Sequence, residues 1–384
     1  MFPVTRADAL DRLHAFVPEA GSAYAKKRNY DYGMGYHDAV SRLSAALRRR
    51  TITEEEVIAE VLAHHPFARA EKFIQEVYWR TYWKGWLEMR PSLWHDYVSV
   101  TQSGFRDSER LDAALAGKTG IACFDAWHAE LITTNYLHNH ARMWFASIWI
   151  HTFNLPWQAG AHLFMTHLKD GCPASNTLGW RWVAGLQTRG KAYAARADNI
   201  DSFTNGRFAP YGELQEDVAA IAGPENPPAS VIAEPRLATG HKPLLLITPE
   251  DCHPETLAMI TPPVAVASLP TSFGGAHRAP AVQQADSDGV SDACARAETH
   301  YQIDHHKSDL NKETLADQMA DLLDRTGADH FVMAYQPVGY WADALRGIQL
   351  PINEVRRGYD DMCWPHAKKG FFPFKEKIPQ FLRR

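Results

Sequence analysis

Along residues 1–210 the apolar positions recur at helical spacing. Leu10, Leu13, Phe16 and Val17 share one face, as do Val57, Ile58, Val61 and Leu62, and that period predicts amphipathic helices. Thr53-Glu54-Glu55-Glu56 sets a capping residue and acids at the start of the second. Residues 71–87 are aromatic and periodic, residues 134–152 predict a long apolar helix, and residues 162–168 a short one. The pattern breaks at Pro224, Pro227, Pro228 and Pro235, which marks residues 222–240 as a connecting stretch. Beyond it come three short apolar runs, at 243–248, 264–269 and 330–334, with a helical period over 312–325 between the last two. Residues 274–290 are polar and predict a loop. Strands alternating with helices imply a small α/β layer with a parallel sheet. The organisation is therefore a helical part at 1–210, a linker at 211–240, and an α/β part with a C-terminal extension at 241–384, mainly α overall, with no internal repeat.

Composition adds limits. Hydrophobic residues are 45% and charged residues 22% of 384, ordinary for a soluble globular protein. No run of about 18 apolar residues exists, so no membrane contact is expected. Met1-Phe2-Pro3-Val4-Thr5-Arg6-Ala7-Asp8 lacks the features of a signal peptide, and the expected compartment is the cytoplasm. The five cysteines are scattered and form no CxxC pair, against a disulfide framework or a cysteine-held cluster. Residues 1–210 carry 24 Lys and Arg against 21 Asp and Glu, the remainder 16 against 24, so any nucleic-acid partner belongs on the first part. Arg48, Arg49, Arg50 and Lys84 are the candidate phosphate contacts. His95, His138, His140, His300, His305 and His306 invite a metal reading, but adjacent His305 and His306 do not point at one ion, and no metal site is expected.

Four segments carry chemistry. Val40-Ser41-Arg42-Leu43-Ser44 places two hydroxyls and a cation at a helix start, where free N–H groups suit phosphate oxygens; Ser41 as a plain N-cap is the other explanation. Phe73, Glu76 and Arg80 fall on one helical face beside Trp79. Tyr136-Leu137-His138-Asn139-His140-Ala141-Arg142-Met143 gathers Asn139, Arg142 and Met143 on one side. Asp170-Gly171-Cys172-Pro173-Ala174-Ser175-Asn176 opens a small-residue loop running into Trp180 and Trp182.

In order and spacing these segments, over roughly residues 5–210, resemble the photolyase/cryptochrome family. VSRLS, EVYWRTY, HNHARM and DGCPASNTLGWRW stand where that family shows TSRLS, WRE(F/Y), HNR-x-RM and DGD…N…GW-x-W. The resemblance implies an all-helical FAD-binding domain followed here by a smaller α/β domain. It implies that Tyr24 and Val40, Ser41, Arg42, Leu43 and Ser44 grip the FAD pyrophosphate, with Phe73 stacking nearby and Arg80 reaching the flavin side. Asn139 and Arg142 would line the isoalloxazine, Arg142 pairing with Asp170, and Asn176 would face flavin N5. Cys172 stands where the family carries a second acid, which changes the redox tuning. Glu76 would hydrogen-bond damaged bases, Trp79 and Tyr136 would stack on a flipped dinucleotide, and Met143 would fill the wall. Trp180 and Trp157 match the inner and middle members of an electron-transfer chain whose outer position is Phe105; Trp127 or Tyr136 could substitute for it.

Members specific for the (6-4) product carry two histidines where this chain has Asn139 and Met143, so the implied activity is splitting of cyclobutane pyrimidine dimers in UV-damaged DNA. The family usually begins with an α/β antenna domain; this chain begins at the FAD domain, so an antenna chromophore is not expected. Residues 317–374 look faintly like the latter part of such a domain. The alternatives are a cryptochrome-like blue-light receptor acting on an unidentified protein partner, and a flavin-binding remnant without light function. The oligomeric state is left open.

Overall fold

The computed structural model describes residues 2–269, 278–306 and 314–383. Thr53 caps the helix Glu54–His64 in a reciprocal capping box with Glu56, as its sequence predicts. Thr5 caps Arg6–Phe16 through the Asp8 N–H. The central element is the 22-residue helix Phe67–Glu88. One of its faces buries Ile74, Val77, Tyr78 and Thr81, leaving Glu76, Trp79, Arg80 and Trp83 on another.

Several elements differ from expectation. The predicted helix over 134–152 is divided: one helix, Ala122–Thr134, ends at Asn135 with φ 57°, a left-handed position that asparagine tolerates. The chain restarts as Asn139–Ser147 and widens into a π turn, Ile148–Thr152. The short helix at 162–168 is part of Trp157–His167. Residues 170–182 are a loop only as far as Cys172; Pro173, at the first helical position, opens the helix Pro173–Val183. Ser41 is not the N-cap of the following helix, Ser44–Arg49; Leu43 is. The predicted polar loop at 274–290 gives way from Pro280 onward to a 22-residue helix, Pro280–Tyr301, while 274–277 lie outside the described residues. Its buried face is built mostly from small residues, Ala285, Gly289, Ala293, Cys294 and Ala297, with only Val282 and Val290 as larger apolar residues, too little to register as a hydrophobic period.

The five strands are β1 (Pro243–Ile247), β2 (Ala265–Ser268), β3 (Asp304–His306), β4 (His330–Ala334) and β5 (Ile352–Val355). All pair in parallel, in the order β3-β2-β1-β4-β5. Alternate residues go to opposite faces. Leu244 and Leu246 pack towards Met319 and Leu322, and Leu245 and Ile247 towards Val290 and Ala293. The sheet is thus covered on both sides, as parallel sheets require. The strand order reverses between β1 and β4, where open α/β sheets usually bind ligands beyond the strand ends.

Here those ends are sealed against the helical part. Arg48 reaches Glu250 at 2.6 Å, Arg49 reaches Asp286 at 2.6 Å, and Arg50 forks onto Asp360 at 2.6 and 2.8 Å. Glu88 accepts from Tyr335 Oη at 2.7 Å and from the Val338 N–H at 2.6 Å. The candidate phosphate contacts are therefore spent inside the fold: Arg48, Arg49, Arg50 and Lys84 are 5%, 0%, 4% and 3% exposed. The connecting stretch is pinned too, with the Ser230 N–H on Met89 O at 2.9 Å and Arg90 Nε on Pro227 O at 2.9 Å.

The last residues return to the helical part instead of extending the sheet. Tyr359, Cys363, Phe371, Phe374, Ile378 and Phe381 join its apolar core. Gly85 permits this, since a Cβ there would lie 2.8 Å from Trp364 Cα.

Candidate FAD-binding site

A cavity of about 910 Å³ opens in the helical part. Glu76, Trp79, Arg80 and Trp83 line it from the free face of Phe67–Glu88; Asn139, His140, Arg142 and Met143 line it from Asn139–Ser147. Asn176, Trp180 and Trp182 come from Pro173–Val183, preceded by Asp170 and Cys172. Tyr24, Val40, Ser41, Arg42, Ser44 and Tyr136 complete the set of expected residues that meet there.

Three expected residues stand apart. Leu43 is fully buried and lines no part of the cavity. Phe73 packs between Phe16 and Tyr24, 5.2 Å from each ring centroid, and supports the wall from behind. Trp157 lies off the cavity, stacked on Tyr97 at 6.0 Å and 22°. It is one helical turn from Gly160, against which Trp180 is packed so closely that a Cβ would meet the ring at 2.2 Å. Trp127, the possible substitute, stacks instead on Trp144 at 5.4 Å and donates to Asp31 at 2.8 Å.

The segment 40–44 is shaped by Arg12, which donates to Ser41 O at 2.7 Å and to Val40 O at 3.0 Å. Arg42 takes φ 58° and pairs with Asp38 at 3.0 Å. Arg142 holds Asp170 at 2.8 Å and donates to Leu137 O at 2.8 Å. Burial alone would raise the Asp170 carboxyl, but Arg142 overcomes it and the pKa falls below the ordinary range. Asn176 donates its amide nitrogen to Ala161 O at 2.8 Å, which fixes the amide plane. Cys172 is buried, which raises a thiol, yet Arg80, Arg48 and Lys84 draw it below its usual value. Glu76 forms a close ion pair with Arg28; burial pushes its pKa up, and Arg28 opposes that.

The aromatic walls have two sides. Trp79 stacks on Phe371 with centroids 3.6 Å apart and planes at 12°. Trp182 stacks on Tyr193 at 5.3 Å and 30°. Tyr136 already carries Phe2 at 4.1 Å and Arg142 at 5.3 Å from its ring, so a ring face expected to receive a base is occupied by the chain itself. Sequence reasoning missed Trp83, although it sits seven residues after Glu76 on the same face. It missed Trp182 as a wall although it stands in the quoted motif. Nothing local in the sequence signals Arg28 or Tyr193.

The set fits a large, polar, planar ligand. Asp170 Oδ1, Arg42 Nε and Trp180 Nε1 are buried without a hydrogen-bond partner in the protein, and such atoms call for partners from outside the chain. Among the described residues no helix is long and apolar enough to cross a membrane.

Residues 73–213 match the FAD binding domain of DNA photolyase. Deoxyribodipyrimidine photo-lyase of Escherichia coli is 29% identical over 204 residues, covering 50% of this chain and 42% of that protein. The Streptomyces griseus enzyme of the same name is 32% identical over 187 residues, covering 44% and 41%. A class III photolyase from Agrobacterium tumefaciens is 26% identical, with a TM-score of 0.45, covering 52% of this chain and 43% of that one. The chain thus spans about two fifths of these relatives. The fold and the donor set define a FAD-binding helical domain. Over that matched stretch the chain is similar to members of the photolyase/cryptochrome family.

Proposed function

We propose that the protein is a light-driven, flavin-dependent DNA-repair enzyme that splits cyclobutane pyrimidine dimers in UV-damaged DNA. The observation that carries this reading is that one cavity holds both the FAD-type donor set and a wall of acid and indoles. Arg142, Asp170, Asn176 and the 40–44 segment would hold FAD; Glu76, Trp79 and Trp182 face the same space. Reduced FAD, when bound, supplies on illumination the electron that opens the cyclobutane ring and takes it back afterwards.

The chain's part is to bind, orient and exclude water. Indole faces at Trp79 and Trp182 accept extruded bases. Glu76, fixed in position by its ion pair with Arg28, presents carboxylate oxygens to the cavity that can accept from a base N–H. Met143 closes the wall. Trp180 and Trp157 would pass reducing electrons inward, with Tyr97 continuing the line from Trp157 that Phe105 cannot.

The test is dimer repair by the flavin-loaded protein on a UV-damaged thymine oligonucleotide, under blue light and in darkness. Light-dependent loss of dimers, reduced at least about tenfold in Glu76→Ala, is expected. Flavin that binds and bleaches in light without loss of dimers from single- or double-stranded DNA would overturn the repair reading in favour of light sensing.

A further inference from the structure

We infer that Phe371 is a positioning residue for Trp79, so that a base bound in the cavity forms the third layer of a stack begun by the C-terminal segment. This rests on the repair reading and adds to it a residue outside the matched stretch 73–213.

Trp79 and Phe371 are the closest ring pair among the described residues, at 3.6 Å and 12°. Phe371 is itself fixed. It is buried, meets Tyr82 edge-on at 5.5 Å, and lies 6.1 Å from the fully buried Phe374. The backbone just before it is anchored: Tyr82 Oη donates to Lys369 O at 2.8 Å and Arg90 Nη2 to Lys368 O at 2.9 Å. Tyr82 and Trp83 meet Trp79 at larger angles, 83° and 36°. They confine its edge and leave Phe371 to set its plane.

The chemistry follows from ordering. An indole at a cavity wall has rotamers to lose when a planar ligand stacks on it. Phe371 removes that freedom beforehand, and with its own ring covers one indole face, so ligand stacking falls to the other. A residue acting this way improves binding of substrate and transition state alike, which appears in KM and not in kcat.

The test compares Phe371→Leu and Phe371→Tyr with the parent protein. Dark affinity for a dimer-containing oligonucleotide and for its undamaged counterpart is measured first, then KM, kcat and FAD content. Phe371→Leu is expected to weaken dimer affinity and raise KM about fivefold to tenfold, with kcat and FAD content retained. Phe371→Tyr should restore both. The inference is overturned if the leucine variant binds dimers like the parent, if it loses FAD and kcat in step with affinity, or if tyrosine fails to rescue. Should leucine prevent folding, the tyrosine variant alone decides, since a ring that keeps the stack must keep parental KM. A parent protein that does not prefer dimer-containing DNA would instead bring down the repair reading itself.

Discussion

Two groups of arginines lie close together in this chain and meet opposite fates. Arg42, Arg80 and Arg142 line the cavity, where Asp170 Oδ1 and Arg42 Nε are left without partners. Arg48, Arg49 and Arg50 run along the seam with the sheet, each with a carboxylate at 2.6 Å. The residue type is the same, but the cavity side chains keep 12–22% of their surface open against 0–6% in the seam. Each cavity arginine also has a carboxylate, Asp38 at 3.0 Å, Glu54 at 3.2 Å and Asp170 at 2.8 Å, so what differs is how far the fold closes over the pair. In the seam it closes, and the cations hold two parts of the molecule together; in the cavity it leaves polar atoms facing open space, which is the condition for binding something else.

The sharpest way to break this contrast is Arg50→Met. It strands Asp360 in the interior and leaves Glu54 with Arg80 alone, and stability is expected to fall by about 3–5 kcal/mol, read from urea denaturation. Asp170→Asn should act differently: FAD affinity drops about tenfold or more, followed by flavin fluorescence titration, while the denaturation midpoint moves less than in Arg50→Met. The smallest effect concerns pH. Burial raises the Glu88 carboxyl to about 7, from an ordinary value of 4.5. Between those values the folded protein keeps a proton that the unfolded chain has released, so stability should decline as pH rises from 4.5 to 7. Glu88→Gln, neutral throughout, should flatten that slope. Glu54 gives the opposite sign: burial would raise it, but Arg50 and Arg80 hold it at about 2. Its contribution is complete above pH 4.5 and is lost as pH falls towards 2.

What was legible in the sequence was local. The Thr53–Glu56 capping box, the strands β1, β2 and β4, and the four motif segments all announce themselves within a dozen residues. β3 was not legible because Asp304-His305-His306 carries no apolar run, nor β5, whose Ile352 and Val355 enclose Asn353 and Glu354. The helix Pro280–Tyr301 was hidden because alanine, glycine and cysteine make up most of its packed face, with only Val282 and Val290 as larger apolar residues. The arginine run misled because a string of cations reads as a phosphate contact until its carboxylates, some two hundred or more positions away, are brought to it. Phe371 was beyond reach for the same reason: its meaning comes from a helix near the other end of the chain.

The crossing of the C-terminal segment over Gly85 also sets an order in time. Tyr82 and Lys369 are 287 positions apart in the chain, and contacts of such span close late because long loops are costly to form before they are rewarded. During synthesis the front of the cavity can assemble from early residues, while the ring behind Trp79 has yet to leave the ribosome. On the repair reading, the nascent protein is expected to become competent to hold flavin before it is competent to grip a base.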